Sequence, residues 1–156
     1  MGMDVSGKAP SCEKGKYFGA NVWSWRPIHA IIGIVNEQHE GELVDDETLG
    51  FMGSNDGAGL DDQESCDKLA DAIEEFINDE VGIKATGLEC VEGEEFGDKL
   101  IRFPLKPGGM IVNAKGQFLK EGECINDDCR SPYGTYRSHI EEFITFLRHC
   151  GGFEVW

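Results

Sequence analysis

The sequence predicts an α+β domain in which about three helices pack on a small mixed or antiparallel sheet. Three observations carry that expectation. Three segments repeat apolar residues at helical spacing. Five short apolar or alternating stretches are bounded by glycine or proline. The 21 glycines among 156 residues call for many turns. A chain of this length fits a single domain, residues 1–156, and helices with mostly non-alternating strands imply the α+β class.

Taken in order, Met1–Val5 opens as a strand. A first helix is expected from Arg26-Pro27, because proline suits the first helical turn, where its missing N–H costs nothing. Ile28, Ile31, Ile32 and Val35 recur along it, and Gly41 closes the region. A second helix is expected from Asp61, with Glu64 completing an acidic capping box. Cys66, Leu69, Ala70, Ile73, Phe76 and Ile77 form its apolar stripe, while Asp67, Asp71, Glu74 and Glu75 face water. Strands follow at Lys99–Phe103, Met110–Asn113 and Gln117–Lys120, the last two joined by an Asn113-Ala114-Lys115-Gly116 hairpin turn. The third helix opens on a Ser138–Glu141 capping box, buries Ile140, Phe143, Ile144 and Leu147, and stops at Gly151-Gly152. Phe153–Trp156 reads as the closing strand.

Charge is unevenly placed. The formal net charge is −16. Residues 37–98 hold 21 acidic and two basic side chains, whereas residues 99–120 hold five basic (Lys99, Arg102, Lys106, Lys115, Lys120) and no acidic ones. A strongly polarised surface follows. The overall negative charge argues against a general nucleic-acid binder and against docking on anionic lipid. No apolar run approaches the roughly 20 residues that span a bilayer, and the first residues lack the layout of a signal peptide. Met1-Gly2-Met3-Asp4-Val5-Ser6 fits the N-myristoylation pattern, but no polybasic second signal follows it. The six cysteines, Cys12, Cys66, Cys90, Cys124, Cys129 and Cys150, are scattered and expected to be reduced thiols of a cytoplasmic protein.

Two stretches are more specific. The opening Met1-Gly2-Met3-Asp4 with Gly7-Lys8 and Pro10, followed by Gly15-Lys16-Tyr17-Phe18 and Asn21-Val22-Trp23-Ser24-Trp25-Arg26-Pro27, resembles a family of uncharacterised phage and prophage proteins. The ending Phe143-Ile144-Thr145-Phe146-Leu147-Arg148 with Gly151-Gly152-Phe153-Glu154 is similar to that family's C-terminus. The resemblance covers about a third of the chain. It implies a viral accessory protein in the cytoplasm of an infected bacterial host, and brings no catalytic activity with it. Some members of the family carry zinc-ribbon-like paired cysteines before the last helix, of which this chain keeps Cys124 and Cys129.

Each motif has a functional and a structural reading. Cys124 and Cys129, with four residues between them, are a permissible half of a zinc site, with His139, His149 and Cys150 as further ligands, or are simply free thiols. The Gly53–Leu60 loop precedes a helix start, yet Asp56, Asp61 and Asp62 would repel phosphate there, and Met52 and Gln63 occupy the end positions of any calcium loop. It reads as a tight turn. Chance Cys–His pairs are easy in this composition, but no nucleophile elbow or His-Glu-x-x-His helix is present.

The segment Lys14–Arg26 combines cations, aromatic rings and an amide in an otherwise acidic chain. Lys16, Tyr17, Asn21, Trp23, Trp25, Arg26 and His29 are the candidate ligand-binding residues, suited to stacking and neutralising an anionic, nucleotide-like small molecule. In an extended segment Trp23 and Trp25 would share one side. Against this, two tryptophans before a helix also suit core packing. Asp67, Asp71, Glu74 and Glu75 form a carboxylate array at helical spacing, either a solvated face or a docking face for a host protein with a basic surface. The absence of a complete catalytic constellation favours a non-catalytic binding protein that occupies or inhibits a host component, with counter-defence as the expected role. The rival class is a metal- or Cys/His-dependent hydrolase. No cofactor is expected, zinc aside.

Overall fold

Three of the helices are long because their apolar stripes have faces to bury, and the sheets are small because the strands between them are short. The computed structural model describes residues 2–93, 98–106, 108–113, 115–120, 122–123 and 129–156. In chain order the elements are β1 (Gly2–Gly7), a single 3₁₀ turn (Glu13–Gly15), β2 (Tyr17–Asn21), α1 (Val22–Gln38), α2 (Asp46–Phe51), α3 (Gln63–Ile77), α4 (Glu80–Ala85), β3 (Glu89–Glu92), β4 (Lys99–Arg102), β5 (Ile111–Val112), β6 (Phe118–Leu119), β7 (Gly134–Tyr136), α5 (Arg137–Leu147) and β8 (Phe153–Val155). The class is α+β, as expected. Among the described residues all the strand pairs are antiparallel, so the sheets there are of the antiparallel rather than the mixed kind.

β1 is the centre of a three-stranded sheet ordered β2-β1-β8, with Val5 opposite Phe18 on one side and Val155 on the other. A second sheet is ordered β3-β4-β7. β5 and β6 form a hairpin, closed by hydrogen bonds from Asn113 N to Gln117 O and from Gly116 N to Asn113 O. Gly116 takes φ +77° there, a conformation glycine adopts without strain; Ala114 of the expected turn lies outside the described residues. No helix among the described residues is long and apolar enough to cross a membrane.

The buried hydrophobic residues other than Val112 form one connected cluster, dominated by Trp25, Ile28, Ile31, Ile32, Leu69, Ile73, Phe143, Phe146, Leu147 and Phe153. Phe143 meets Trp25 edge-on at 5.7 Å and Phe18 at 5.1 Å, so α5 ties α1 to the first sheet. Asn36, buried on α1, donates from Nδ2 to the Val44 carbonyl and accepts from the Leu43 and Val44 amides through Oδ1. That single amide organises the turn after α1.

The helix boundaries differ from expectation for identifiable reasons. α1 starts four residues earlier than Arg26, because Asn21 caps it, its Oδ1 accepting from Ser24 N at 2.9 Å. Pro27 therefore sits inside the helix, where it cannot donate to the Trp23 carbonyl, and its ring is buried instead. α3 is capped by Asp62 rather than Asp61, through Ser65 N at 2.7 Å. At α5 the expected Ser138–Glu141 box does not form; the acceptor comes from Asp98, which takes bonds from both Ser138 N and Ser138 Oγ. A cap supplied from 40 residues away is invisible to local spacing.

Hydrogen bonds from the Ser65 backbone and side chain hold the Asp62 carboxyl below its ordinary value of 3.8. The stabilisation it brings is fully present above that value and is lost as pH falls through the lower folded-state value. Asp62→Asn keeps an accepting oxygen at the cap. Its melting temperature is expected to fall less steeply than the wild type's below about pH 4, which thermal melts across that range check.

Three backbone segments meet without side chains between them at one end of β1. A Cβ built on Gly7 would lie 1.9 Å from the Gly15 carbonyl oxygen, and one on Gly15 would lie 1.9 Å from the His149 carbonyl oxygen. Ala9 N and Ser11 N donate to the Cys150 and His149 carbonyls, which locks the segment after β1 onto the end of α5.

Candidate binding site

The helical start at Val22 redistributes the segment Lys14–His29. Residues two apart on a helix point roughly 200° away from each other, so Trp23 and Trp25 part company. Trp25 enters the core at 1% exposure and donates from Nε1 to the Met52 carbonyl at 2.9 Å. Asn21 is spent on the helix cap, and His29 Nε2 lies 2.6 Å from the Leu49 carbonyl. Lys16 pairs with Glu13. Tyr17 donates its hydroxyl to Asp4, and that bond to a carboxylate raises the phenol above its ordinary value. Five of the seven candidate residues thus have structural partners within the fold.

Trp23 and Arg26 lie three residues apart, on one side of α1. The Trp23 ring is 5.0 Å from that of Tyr133 and 5.5 Å from that of Phe118, and the Arg26 guanidinium stands 5.7 Å from the centre of the Tyr133 ring. Phe103 extends the group, 5.7 Å from Tyr133. Of these rings Trp23 and Phe118 line a cleft of about 290 Å³, together with Leu100, Arg102, Arg130 and Tyr136.

The cleft follows from strand alternation. Ile101 and Thr135 point into the core, so Leu100 and Arg102 of β4 and Gly134 and Tyr136 of β7 present the opposite face. Gly134 keeps that floor low: a Cβ there would crowd Arg102 Cβ at 3.2 Å and Leu100 Cδ1 at 3.3 Å. Arg102 pairs through Nε with Glu89 at 3.1 Å across the β3–β4 ladder. Its Nη groups have no protein acceptor among the described residues. Arg130 joins the cleft from an isolated antiparallel bridge with Val112. Together the walls offer stacking surfaces and guanidinium donors, the pairing that holds a flat ring with an attached anion.

Arg102, Phe118, Arg130 and Tyr133 lie outside the site residues that the sequence predicts. The available signal was the five-cation run from 99 to 120, which contains Arg102 and Phe118 but carries no indication of what it faces.

The acidic array on α3 is partly consumed. Arg148 at the end of α5 donates from Nη1 to Asp71 at 2.9 Å and from Nη2 to Glu74 at 2.6 Å. Asp67 accepts from Gln63 at 2.7 Å, and Glu75 is exposed. These carboxylates clamp α3 to α5 as well as face water.

Among the described residues no group of three His, Cys, Asp or Glu side chains could hold a metal. Cys129 is disulfide-bonded, so the expectation of reduced thiols fails at that residue, while Cys12, Cys66, Cys90 and Cys150 are free. Cys124 lies outside the described residues. His139 packs on Phe18 with ring centres 4.8 Å apart, His149 Nδ1 lies 3.2 Å from Ser11 Oγ, and Cys150 is buried 3.6 Å from the Cys66 sulfur. The Gly53–Leu60 loop continues the first sheet: Gly57 N donates to Val155 O, and Val155 N donates to Ala58 O. It covers the outer edge of β8.

No protein-family model matches this chain, and neither a curated protein nor a solved structure matches it.

Proposed function

We propose that this chain is a non-catalytic binding protein, of the phage accessory kind that its two ends resemble, and that it takes up an anionic, ring-bearing small molecule of nucleotide type in the cleft over β4 and β7. The observation that carries this reading is the shared cleft of Trp23 and Phe118 with the guanidinium groups of Arg102 and Arg130, the Arg26–Tyr133 pair standing beside it. A ring stacks on the aromatic faces while its phosphate meets the guanidinium donors. A volume of about 290 Å³ lies at the small end of ligand pockets and suits a single nucleotide. Withdrawing such a ligand from host machinery is how a protein without catalysis occupies a host component. The acidic face of α3 gives less support to a docking role, since Asp71 and Glu74 already neutralise Arg148.

Equilibrium dialysis against nucleoside mono-, di- and triphosphates tests the reading. Binding is expected for the intact nucleotide. It should weaken at least about 10-fold for the nucleoside alone and for ribose 5-phosphate alone, because each lacks one half of the contact. Trp23→Ala is expected to lose about 5- to 100-fold in affinity, the scale of one aromatic stack, with little change in melting temperature since the ring lies at the cleft wall. Absence of binding by every nucleotide at millimolar concentration sinks the reading, and turnover of the bound nucleotide moves the protein to the enzyme class.

A further inference from the structure

The first sheet has one covered edge and one open edge. On β8 the outer edge is taken by Gly57 and Ala58. On β2 it is not. Gly7 N bonds to Lys16 O, so in the antiparallel register the residues of β2 facing β1 are 16, 18 and 20. The N–H and C=O groups of Tyr17 and Gly19 therefore point away from the sheet, and among the described residues no backbone group pairs with them.

That open edge runs along a groove of about 440 Å³ whose other wall is α5. Phe18 and Phe146 are apolar parts of its lining, and Ser138, Glu141, Glu142 and Thr145 come from successive turns of the helix. Glu141 and Glu142 are exposed there, with Arg137 and His139 as their only ion-pair partners among the described residues. Lys14 stands in the opposite wall. An unpaired strand edge beside a half-apolar groove is the arrangement into which an extended chain inserts as a further strand.

We propose that β2 accepts an extended segment of a partner protein by strand addition, and that the segment carries Lys or Arg two positions from an apolar residue. The backbone groups of Tyr17 and Gly19 supply the ladder. Side chains of the incoming strand alternate, so every second one drops into the groove. There an apolar side chain meets Phe18 and Phe146, and a cationic one meets Glu141 and Glu142. Charge selects the partner: the wall carries two carboxylates and the whole chain is at −16. This site does not depend on the cleft over β4 and β7, which lies on the other sheet.

A library of displayed random heptapeptides, selected on the full-length protein, tests the proposal. Enriched peptides are expected to pair a cation with an apolar residue at a spacing of two. Their affinity should fall at least 10-fold in Gly19→Pro, which removes an outward N–H without breaking a bond to β1, and should survive in Gly19→Ala, which retains it. Because a Cβ at Gly19 would lie 2.7 Å from the Tyr17 hydroxyl, thermal melts accompany both variants. If Gly19→Pro does not fold, the exposed double change Glu141→Lys, Glu142→Lys and N-methylation along the peptide decide: the first should abolish binding, and the second should do so only at alternate positions. Peptides that bind these variants as well as the wild type, enrichment of acidic sequences, or no enrichment at all overturn the proposal. So does a dimer in sedimentation that Gly19→Pro dissociates, which assigns the edge to a second copy of this chain.

Discussion

Trp25→Ala is expected to destabilise the protein by about 3–5 kcal/mol, lowering the melting temperature on the order of 10 °C. The side chain is 1% exposed and touches Phe143 edge-on. Its removal leaves a cavity between α1 and α5 in a core that cannot fully collapse around it. The Met52 carbonyl also loses the indole donor, an unsatisfied buried acceptor that costs about 1–3 kcal/mol of that total. Trp25→Phe restores most of the volume but not the bond, and should recover part of the loss. Differential scanning calorimetry of the two variants separates packing from hydrogen bonding. A Trp25→Ala melt within a degree or two of the wild type would contradict the placement of this ring in the core.

Gly15→Ala is expected to be at least as damaging, more than about 4 kcal/mol, with loss of folding at ordinary temperatures as the extreme. The glycine has no positive φ to protect; its role is space. A methyl group would sit 1.9 Å from the His149 carbonyl oxygen, a backbone atom that cannot swing aside. Relief requires the 3₁₀ turn and the end of α5 to separate, which also breaks the bonds from Ala9 and Ser11 to that region. Gly50→Ala is the matched control. Gly50 lies in α2 with nothing within 4 Å of the added carbon, and there alanine should stabilise by about 0.5–1 kcal/mol. Denaturant titration of the pair measures both signs.

The long helices were legible because burial imposes a 3.6-residue period that tertiary context does not erase. Cys66, Leu69, Ala70, Ile73, Phe76 and Ile77 are all buried on α3, as their spacing requires. Much of the rest turned on single local choices. Asn21 and Ser24 together form a cap, but Pro27 is the stronger signal in the sequence and points to a later helix start. One consequence was large: with the helix begun at Val22, Trp23 and Trp25 face opposite ways, and a ligand surface built on both is divided between core and cleft. β2 carries Gly19 and Ala20 between aromatic residues, a weak strand pattern that only pairing with β1 makes sense of. β3 and β7 are three or four residues long and owe their existence to β4 between them. The cleft was not legible because Trp23, Arg102 and Tyr133 are joined through the β4–β7 pairing and the α1–β7 packing, relations between distant segments that no window of sequence contains.

The central position of β1 has a kinetic consequence. Its partner β8 pairs Val5 with Val155, a contact between residues 150 positions apart, while its other partner, β2, is a neighbour in the chain. The β1–β2 hairpin is a local, fast event, on the scale of about 1–10 μs. Closing the third strand onto it demands the entropy of a loop that encompasses nearly everything else. A high mean separation of contacts slows folding, so the step that completes this sheet is expected to limit the rate, with α1, α3 and α5 already gathered. Until then both flanks of the N-terminal hairpin are unpaired, and in a dense solution that interval is when one chain is most exposed to joining another in place of itself.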